Sequence, residues 1–275
     1  MHFTDMKKLK IAAVLGLVVF SACNSGQKQE AASIPATDST GAIPAPAAVT
    51  IDTLVYTMRH VEEKGDSVAW KGGEPHCSIT YPEFQNMPSP LKDSLAVIYR
   101  KVLFNDHATA REMAKAFTGA PDEDLDGATS INWFSTLDVS VVGDNGKILS
   151  LEGVAEEYTG GAHGMHGTWF INLDRATGRQ IELNDITSNL HGLSQLNEQY
   201  FRKEKGVDAQ GSLKDAPGML IEDDTLPLPG NFTFTKEGIL MQYNVYEVMP
   251  YVAGPTTYVI PYAALDKVLK PEFKR

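Results

Sequence analysis

The middle of the chain, residues 133–158, constrains the fold more than any other segment. Residues 133–142 and 147–158 are rich in the β-branched, aromatic and aliphatic side chains that are typical of strands. Asp144-Asn145-Gly146 separates them, and Asn-Gly favours the primed turn whose twist matches that of two antiparallel strands. The segment therefore predicts a β-hairpin.

Strands and helices follow one another irregularly around this hairpin. Apolar residues recur at helical spacing after Ser89-Pro90, which predicts a helix over residues 90–104 with Ser89 as its cap. A capping box begins at Thr109 and starts a second helix. The other predicted elements are strands at residues 49–56, 77–84, 168–173 and 256–260, a hairpin at residues 232–245, and a helix at residues 188–203. This order predicts an α+β fold, with a mainly antiparallel sheet of hairpins and packed helices.

The composition is that of a folded protein with an acidic balance. The 275 residues are 43% hydrophobic and carry a formal net charge of −11. A chain of this length buries a core without disulfides or metals to reinforce it. Since nucleic-acid binding needs clustered lysine and arginine, we expect no nucleic-acid partner.

The amino terminus is typical of an export signal. Three lysines precede an uncharged apolar run at residues 11–20, which has about half the length of a membrane-spanning helix. The sequence that follows, FSAC at residues 20–23, resembles the lipobox of bacterial lipoproteins, with Phe20 where leucine is usual. We expect residues 1–22 to be removed as a lipoprotein signal peptide and Cys23 to carry the lipid that anchors the protein in a membrane. An ordinary secretory signal with a chance cysteine is the alternative.

Residues 23–48 are predicted to form a flexible tether, because small and polar residues predominate there and no aromatic residue occurs. Removal of residues 1–22 changes the formal charge from −11 to −13. We expect the folded part to lie in the cell envelope outside the cytoplasm, either in a periplasm or at the cell surface. With lipid on Cys23, Cys77 is the one thiol left, and its strand-like context predicts a buried, inert side chain.

A glycine-rich segment at residues 160–167 is the most unusual stretch of the chain. Gly160 and Gly161 begin it, and His163 and His166 lie within it. Glycine allows positive φ and close backbone approach, so the first interpretation is a wide structural turn. The second is a metal site in which the two histidines act with Glu156 or Glu157, although zinc needs three or four ligands in fixed geometry.

A second unusual segment, residues 246–255, combines tyrosine, proline and glycine. Its composition predicts an ordered loop between strands. Tyr246 and Tyr251 are either packed rings whose hydroxyls are hydrogen-bonded or part of a recognition surface, since tyrosine is common at binding hot spots.

Several stretches of the second half of the chain are similar to the DUF3298 family. They are YTGGAH at residues 158–163, NLDRATGRQIEL at residues 172–183, YEVMPYVAGP at residues 246–255 and VIPYAAL at residues 259–265. The earlier ITYPEF at residues 79–84, with the amphipathic helix after it, resembles the DUF4163 (PdaC-type) domain.

The resemblance divides the folded region into a DUF4163/PdaC-like part at residues 49–130 and a DUF3298-like part at residues 131–275. It implies an extracytoplasmic α+β module, similar to the external part of a lysozyme-binding anti-sigma factor and to a module that accompanies the catalytic domain of a peptidoglycan deacetylase. We therefore expect a membrane-anchored binding module for peptidoglycan or a lysozyme-like cationic protein, without catalysis, cofactor or metal. Two alternatives stay open: a structural envelope protein without a ligand, and a metal-dependent cell-wall hydrolase or deacetylase-like enzyme that uses His163 and His166.

Overall fold

The computed structural model describes residues 54–119 and 132–274. The predicted signal peptide, the tether and Cys23 lie outside the described residues. Among the helices of the described part, none is both long and apolar enough to cross a bilayer.

Five strands form the larger sheet, in the spatial order β1-β2-β3-β4-β5. Their bounds are Val55–Lys64 (β1), His76–Gln85 (β2), Phe134–Asp144 (β3), Ile148–Tyr158 (β4) and Met165–Asp174 (β5). Neighbours are antiparallel except β2 and β3, which run parallel. Parallel neighbours need a long crossover connection. The chain between β2 and β3 contains two helices, Ser89–Ile98 (α1) and Ala110–Thr118 (α2), with a π-helical turn at Tyr99–Leu103.

Three antiparallel strands form a second, smaller sheet in sequence order. They are Asn231–Phe234 (β6), Gly238–Tyr243 (β7) and Thr256–Pro261 (β8). The helices of this half are Leu183–Ile186 (α3), Leu190–Lys205 (α4) and Tyr262–Leu265 (α5), and short 3-10 turns lie at Tyr251–Ala253 and Pro271–Phe273. The predicted α+β fold with mainly antiparallel strands is confirmed.

Helices α1 and α2 cover one face of the larger sheet. Leu91 and Leu95 of α1 are buried in one apolar cluster with Ile79 and Leu137 of the sheet. Burial of each such side chain contributes about 2 kcal/mol of hydrophobic free energy. The register of β3 with β4 shifts at a bulge between Val141 and Gly143. Because side chains alternate along a strand, the even-numbered residues of β3 up to Ser140 and of β4 from Glu152 onward point to the opposite face. There Asp138, Ser140, Val154 and Glu156 are exposed, and this side is called the open face below.

Asparagine side chains join the two sheets. The Asn244 amide accepts a hydrogen bond from the Thr168 backbone N–H at 2.9 Å, and the Asn231 amide accepts one from the Phe170 backbone N–H at 2.8 Å. Both amides also donate to the Thr168 carbonyl. These bonds occupy the outer edge of β5, where an unpaired strand would otherwise present free backbone groups to other chains.

Several predicted boundaries need correction. The first strand runs over Val55–Lys64, beyond the predicted end at residue 56. Ser89 is the first helical residue and not the cap, because Pro88 occupies the cap position with an extended backbone. The capping box at Thr109 is confirmed, since the Thr109 hydroxyl accepts the Glu112 backbone N–H at 3.2 Å.

Candidate functional site

The glycine-rich segment and the tyrosine-rich segment, far apart in sequence, meet at one aromatic cluster. The Tyr251 ring stacks on His163 with ring centroids 4.1 Å apart and lies edge-on to His166 at 5.3 Å. Tyr246 contacts the same ring at 6.0 Å. We call these four residues the Tyr–His cluster. It contains all four of the predicted ring-bearing candidates.

His163 lies on the turn that joins strands β4 and β5. Gly160 and Gly161 adopt φ values of 99° and 95°, which side chains other than glycine rarely tolerate. The Tyr158 hydroxyl donates to the Gly161 carbonyl at 3.0 Å, and His163 Nδ1 lies 2.8 Å from the Gly164 carbonyl. Since a carbonyl only accepts, His163 Nδ1 carries the proton, and the ring is fixed against Tyr251.

His166 does not lie in a loop, which corrects the predicted extent of the turn. Strand β5 begins at Met165, so that His166 pairs across the sheet with Glu156 of β4. The alternation of the strand places His166 on the open face. The turn itself is therefore confined to the residues between Tyr158 and Met165.

The tyrosine side of the cluster lies on the connection between β7 and β8. Val248 is buried and its carbonyl accepts the Leu220 backbone N–H at 2.9 Å, which anchors the loop. Tyr246 adopts a left-handed backbone with φ 68°, and its N–H donates to the Met249 carbonyl. The loop therefore holds Tyr246 49% exposed and Val252 92% exposed, on a backbone that its own hydrogen bonds order.

The two histidines contact the same tyrosine ring. Among the described residues, no group of three or more His, Cys, Asp or Glu side chains is arranged to hold a metal. The Tyr251 ring is stacked on His163 and lies edge-on to His166.

Adjacent carboxylates of β4 have opposite environments. Glu156 is exposed on the open face, whereas Glu157 points to the helix-covered face and pairs with Ser135. Burial raises the pKa of the Glu157 carboxyl to about 7. Cys77 lies on the same covered face, is fully buried, and burial raises the pKa of its thiol to about 11. The predicted burial of Cys77 is confirmed, and its low reactivity stays a prediction.

A second row of rings on the open face was missed by the reasoning from sequence. His76 of β2 stacks on Phe134 of β3 with centroids 6.0 Å apart, and Phe134 contacts Tyr158 of β4 at 6.2 Å. The three residues are direct partners in the sheet register. Only the register reveals the row, because it depends on the parallel pairing of β2 with β3.

A depression of about 400 Å³ lies at the carboxyl end of α4 and is separate from the cluster's rings. It is lined by residues of the long loop after the helix, among them Asp208, Asp215 and Met219. Met249 is its one lining residue from the tyrosine-rich loop. None of the four residues of the Tyr–His cluster lines this depression.

Two family models match the chain in succession. A model described as "Deacetylase PdaC" matches residues 73–166, and one described as "Protein of unknown function (DUF3298)" matches residues 183–263. His163 and His166 fall in the first match and Tyr246 and Tyr251 in the second. The Tyr–His cluster therefore forms where the two matched regions meet.

Two crystal structures of DUF3298 proteins share the fold. A member from Bacteroides fragilis NCTC 9343 is 22% identical, with a TM-score of 0.66 over 80% of this chain and 95% of that one. A protein from Pseudomonas aeruginosa PAO1 is 20% identical, with a TM-score of 0.57 over 82% of this chain and 98% of the other. No sequence among curated proteins matches this chain.

Proposed function

We propose that this chain, which carries a PdaC-type region followed by a DUF3298 region, is an extracytoplasmic binding module that a lipid on Cys23 holds at a membrane. Its recognition surface is the Tyr–His cluster, and its ligand is a glycan of the cell wall. The observation that carries the proposal is the convergence of two distant segments on Tyr251.

The chemistry of the cluster suits a saccharide. A sugar ring presents C–H groups on its faces and hydroxyls around its edge. Tyrosine combines an apolar ring face with a polar hydroxyl, so that it packs on the first and hydrogen-bonds the second. Tyr246 is half exposed while its backbone is fixed, so little conformational entropy is lost when a ligand orders the ring.

A cationic protein such as lysozyme is a second candidate, which the charge of the chain favours. The formal net charge is −11, and −13 once residues 1–22 are removed. An acidic protein attracts a basic partner over long range, which raises the association rate and makes binding sensitive to salt.

Calorimetric titration tests the two candidates with soluble peptidoglycan fragments and with lysozyme, each at low and high salt. We expect Tyr251→Ala to weaken glycan binding by about tenfold or more, as loss of a central aromatic anchor does. Tyr56→Ala is the matched control, because Tyr56 is a 40% exposed tyrosine on β1, outside the cluster. It should leave the affinity unchanged.

The outcomes separate the hypotheses. Salt-sensitive binding of lysozyme alone, unaffected by Tyr251→Ala, would favour the cationic partner. A protein that binds neither would support the structural role without a ligand. Turnover of the glycan together with stoichiometric metal, both lost in His163→Ala, would support the enzyme alternative.

Anchoring is tested separately by membrane fractionation of cells that produce the full chain. We expect the wild-type protein to sediment with membranes and to incorporate labelled fatty acid. Cys23→Ser should abolish both. Label on the Cys23→Ser protein would refute the anchor.

A further inference from the structure

The row of rings at His76, Phe134 and Tyr158 continues the Tyr–His cluster across the sheet. The Tyr158 hydroxyl is bonded to the Gly161 carbonyl, in the same turn that fixes His163. His166, on the other side of that turn, lies opposite Glu156 and two residues along β4 from the Tyr158 position. The two aromatic groups are thus connected through one short stretch of β4 and its turn.

The surface between them extends across four strands of the larger sheet. The row occupies β2, β3 and β4, and His166 lies on β5. Three strand spacings separate β2 from β5, which is about 14 Å. Tyr251 lies edge-on to His166 at this end of the surface. A monosaccharide cannot contact both ends of such a surface, whereas an extended chain of sugar rings can.

The open face is negatively charged. On β1, β3 and β4, four carboxylates occupy the even-numbered positions that share this face: Glu62, Asp138, Glu152 and Glu156. Lys64 is the matching cation on β1, and it lies 3.7 Å from Glu62. Glu156 is exposed and lies between the two aromatic groups. A ligand that lies along this face therefore gains most if it carries positive charge.

We infer that the ligand of this surface is an extended saccharide chain with free amino groups, which lies across the open face from Tyr251 to Phe134 and places an ammonium group at Glu156. This inference rests on the proposed glycan binding and specifies its substrate class. The rings pack on successive sugars, and the carboxylates distinguish an amino sugar from its N-acetylated form. Specificity thus arises from a charge pair that only one form can make.

The test is calorimetric titration of the protein with glucosamine oligomers and with N-acetylglucosamine oligomers of the same length. We expect the amino form to bind more tightly and to lose affinity as salt rises. Glu156→Gln should weaken binding of the amino form about two- to fivefold, the range for an exposed ion pair, and leave the N-acetylated form unchanged. Glu272→Gln, which removes an exposed carboxylate on the last 3-10 turn, is the control and should change neither.

Phe134→Leu tests the length of the surface. It removes the ring but keeps apolar volume at a half-buried position, and thermal unfolding of the variant verifies that it is folded. We expect it to weaken long oligomers about two- to tenfold and to leave the disaccharide unaffected.

The outcomes separate this inference from the proposed function. Equal affinity for the amino and N-acetylated chains, with both lost in Tyr251→Ala, would overturn the amino-sugar inference and leave glycan binding intact. Equal effects of Phe134→Leu on short and long oligomers would overturn the extended surface. Absence of binding to either saccharide would overturn the inference and the glycan proposal together.

Discussion

Replacement of Glu157 by glutamine should remove a large pH dependence of stability. The carboxyl lies on the helix-covered face of β4, beside Ser135 and near the buried Cys77. Burial raises its pKa from an ordinary value of 4.5 to about 7, since the charged form loses hydration there. The thiol of Cys77 has a pKa of about 11 and therefore stays neutral over this range.

The sign follows from proton binding by the two states. The folded-state pKa of Glu157 lies above the unfolded value, so between pH 4.5 and about 7 the folded protein keeps a proton that the unfolded chain has lost. Stability therefore falls as pH rises through this interval. A shift from 4.5 to about 7 corresponds to about 3 kcal/mol of unfolding free energy.

Urea unfolding of the wild-type protein and of Glu157→Gln at about pH 5 and about pH 8 measures this effect. We expect the wild type to lose about 2–3 kcal/mol more than the variant between these values, because glutamine does not ionise. Glu156→Gln is the matched control, because the neighbouring carboxylate is exposed and its removal should preserve the wild-type pH dependence. Identical pH dependence in wild type and Glu157→Gln would refute the assignment of Glu157 as a buried carboxyl.

Three further perturbations test the packing. Gly153→Ala should destabilise the protein by about 1–3 kcal/mol, because a Cβ there would lie 2.5 Å from a ring carbon of Trp169; thermal unfolding measures this, and an unchanged midpoint would contradict it. Asn197→Ala should cost about 2–4 kcal/mol, because the buried Asn197 amide accepts the Tyr258 hydroxyl at 2.7 Å and the hydroxyl would lose its partner. Chemical denaturation measures that loss, and a change below about 1 kcal/mol would argue against the bond. Cys77 should react with iodoacetamide only on unfolding, and rapid labelling of the native protein would show that the thiol is accessible.

The elements that depend on neighbouring residues are predictable. Gly146 adopts φ 81°, the positive value for which the Asn-Gly signal selects. Thr109 caps α2 through a bond to a backbone group three residues away. The predicted cap at Ser89 is wrong by one residue. The adjacent Pro88 takes the cap position, and both proline and serine fit the extended backbone found there.

The candidate site is predictable in its parts and not in its assembly. His163 and Tyr251 each lie in a segment whose composition is unusual, which is why both were singled out. Their stacking depends on how the smaller sheet docks on β5, a contact across which asparagine side chains such as Asn244 form hydrogen bonds. The place of His166 on a strand was missed, because the glycines around it favour a turn in isolation, whereas pairing with Glu156 extends β5 over them.

The sequence by itself determined the order and type of most strands and helices, the hairpins and the α+β class. Turn dihedrals, helix caps and side-chain alternation are short-range properties that a few consecutive residues specify. The tertiary structure alone decided the parallel pairing of β2 with β3, the open face with its row of rings, and the meeting of both unusual segments at Tyr251. Those features depend on register and packing between segments far apart in the chain, and their free energy comes from contacts that no local pattern encodes.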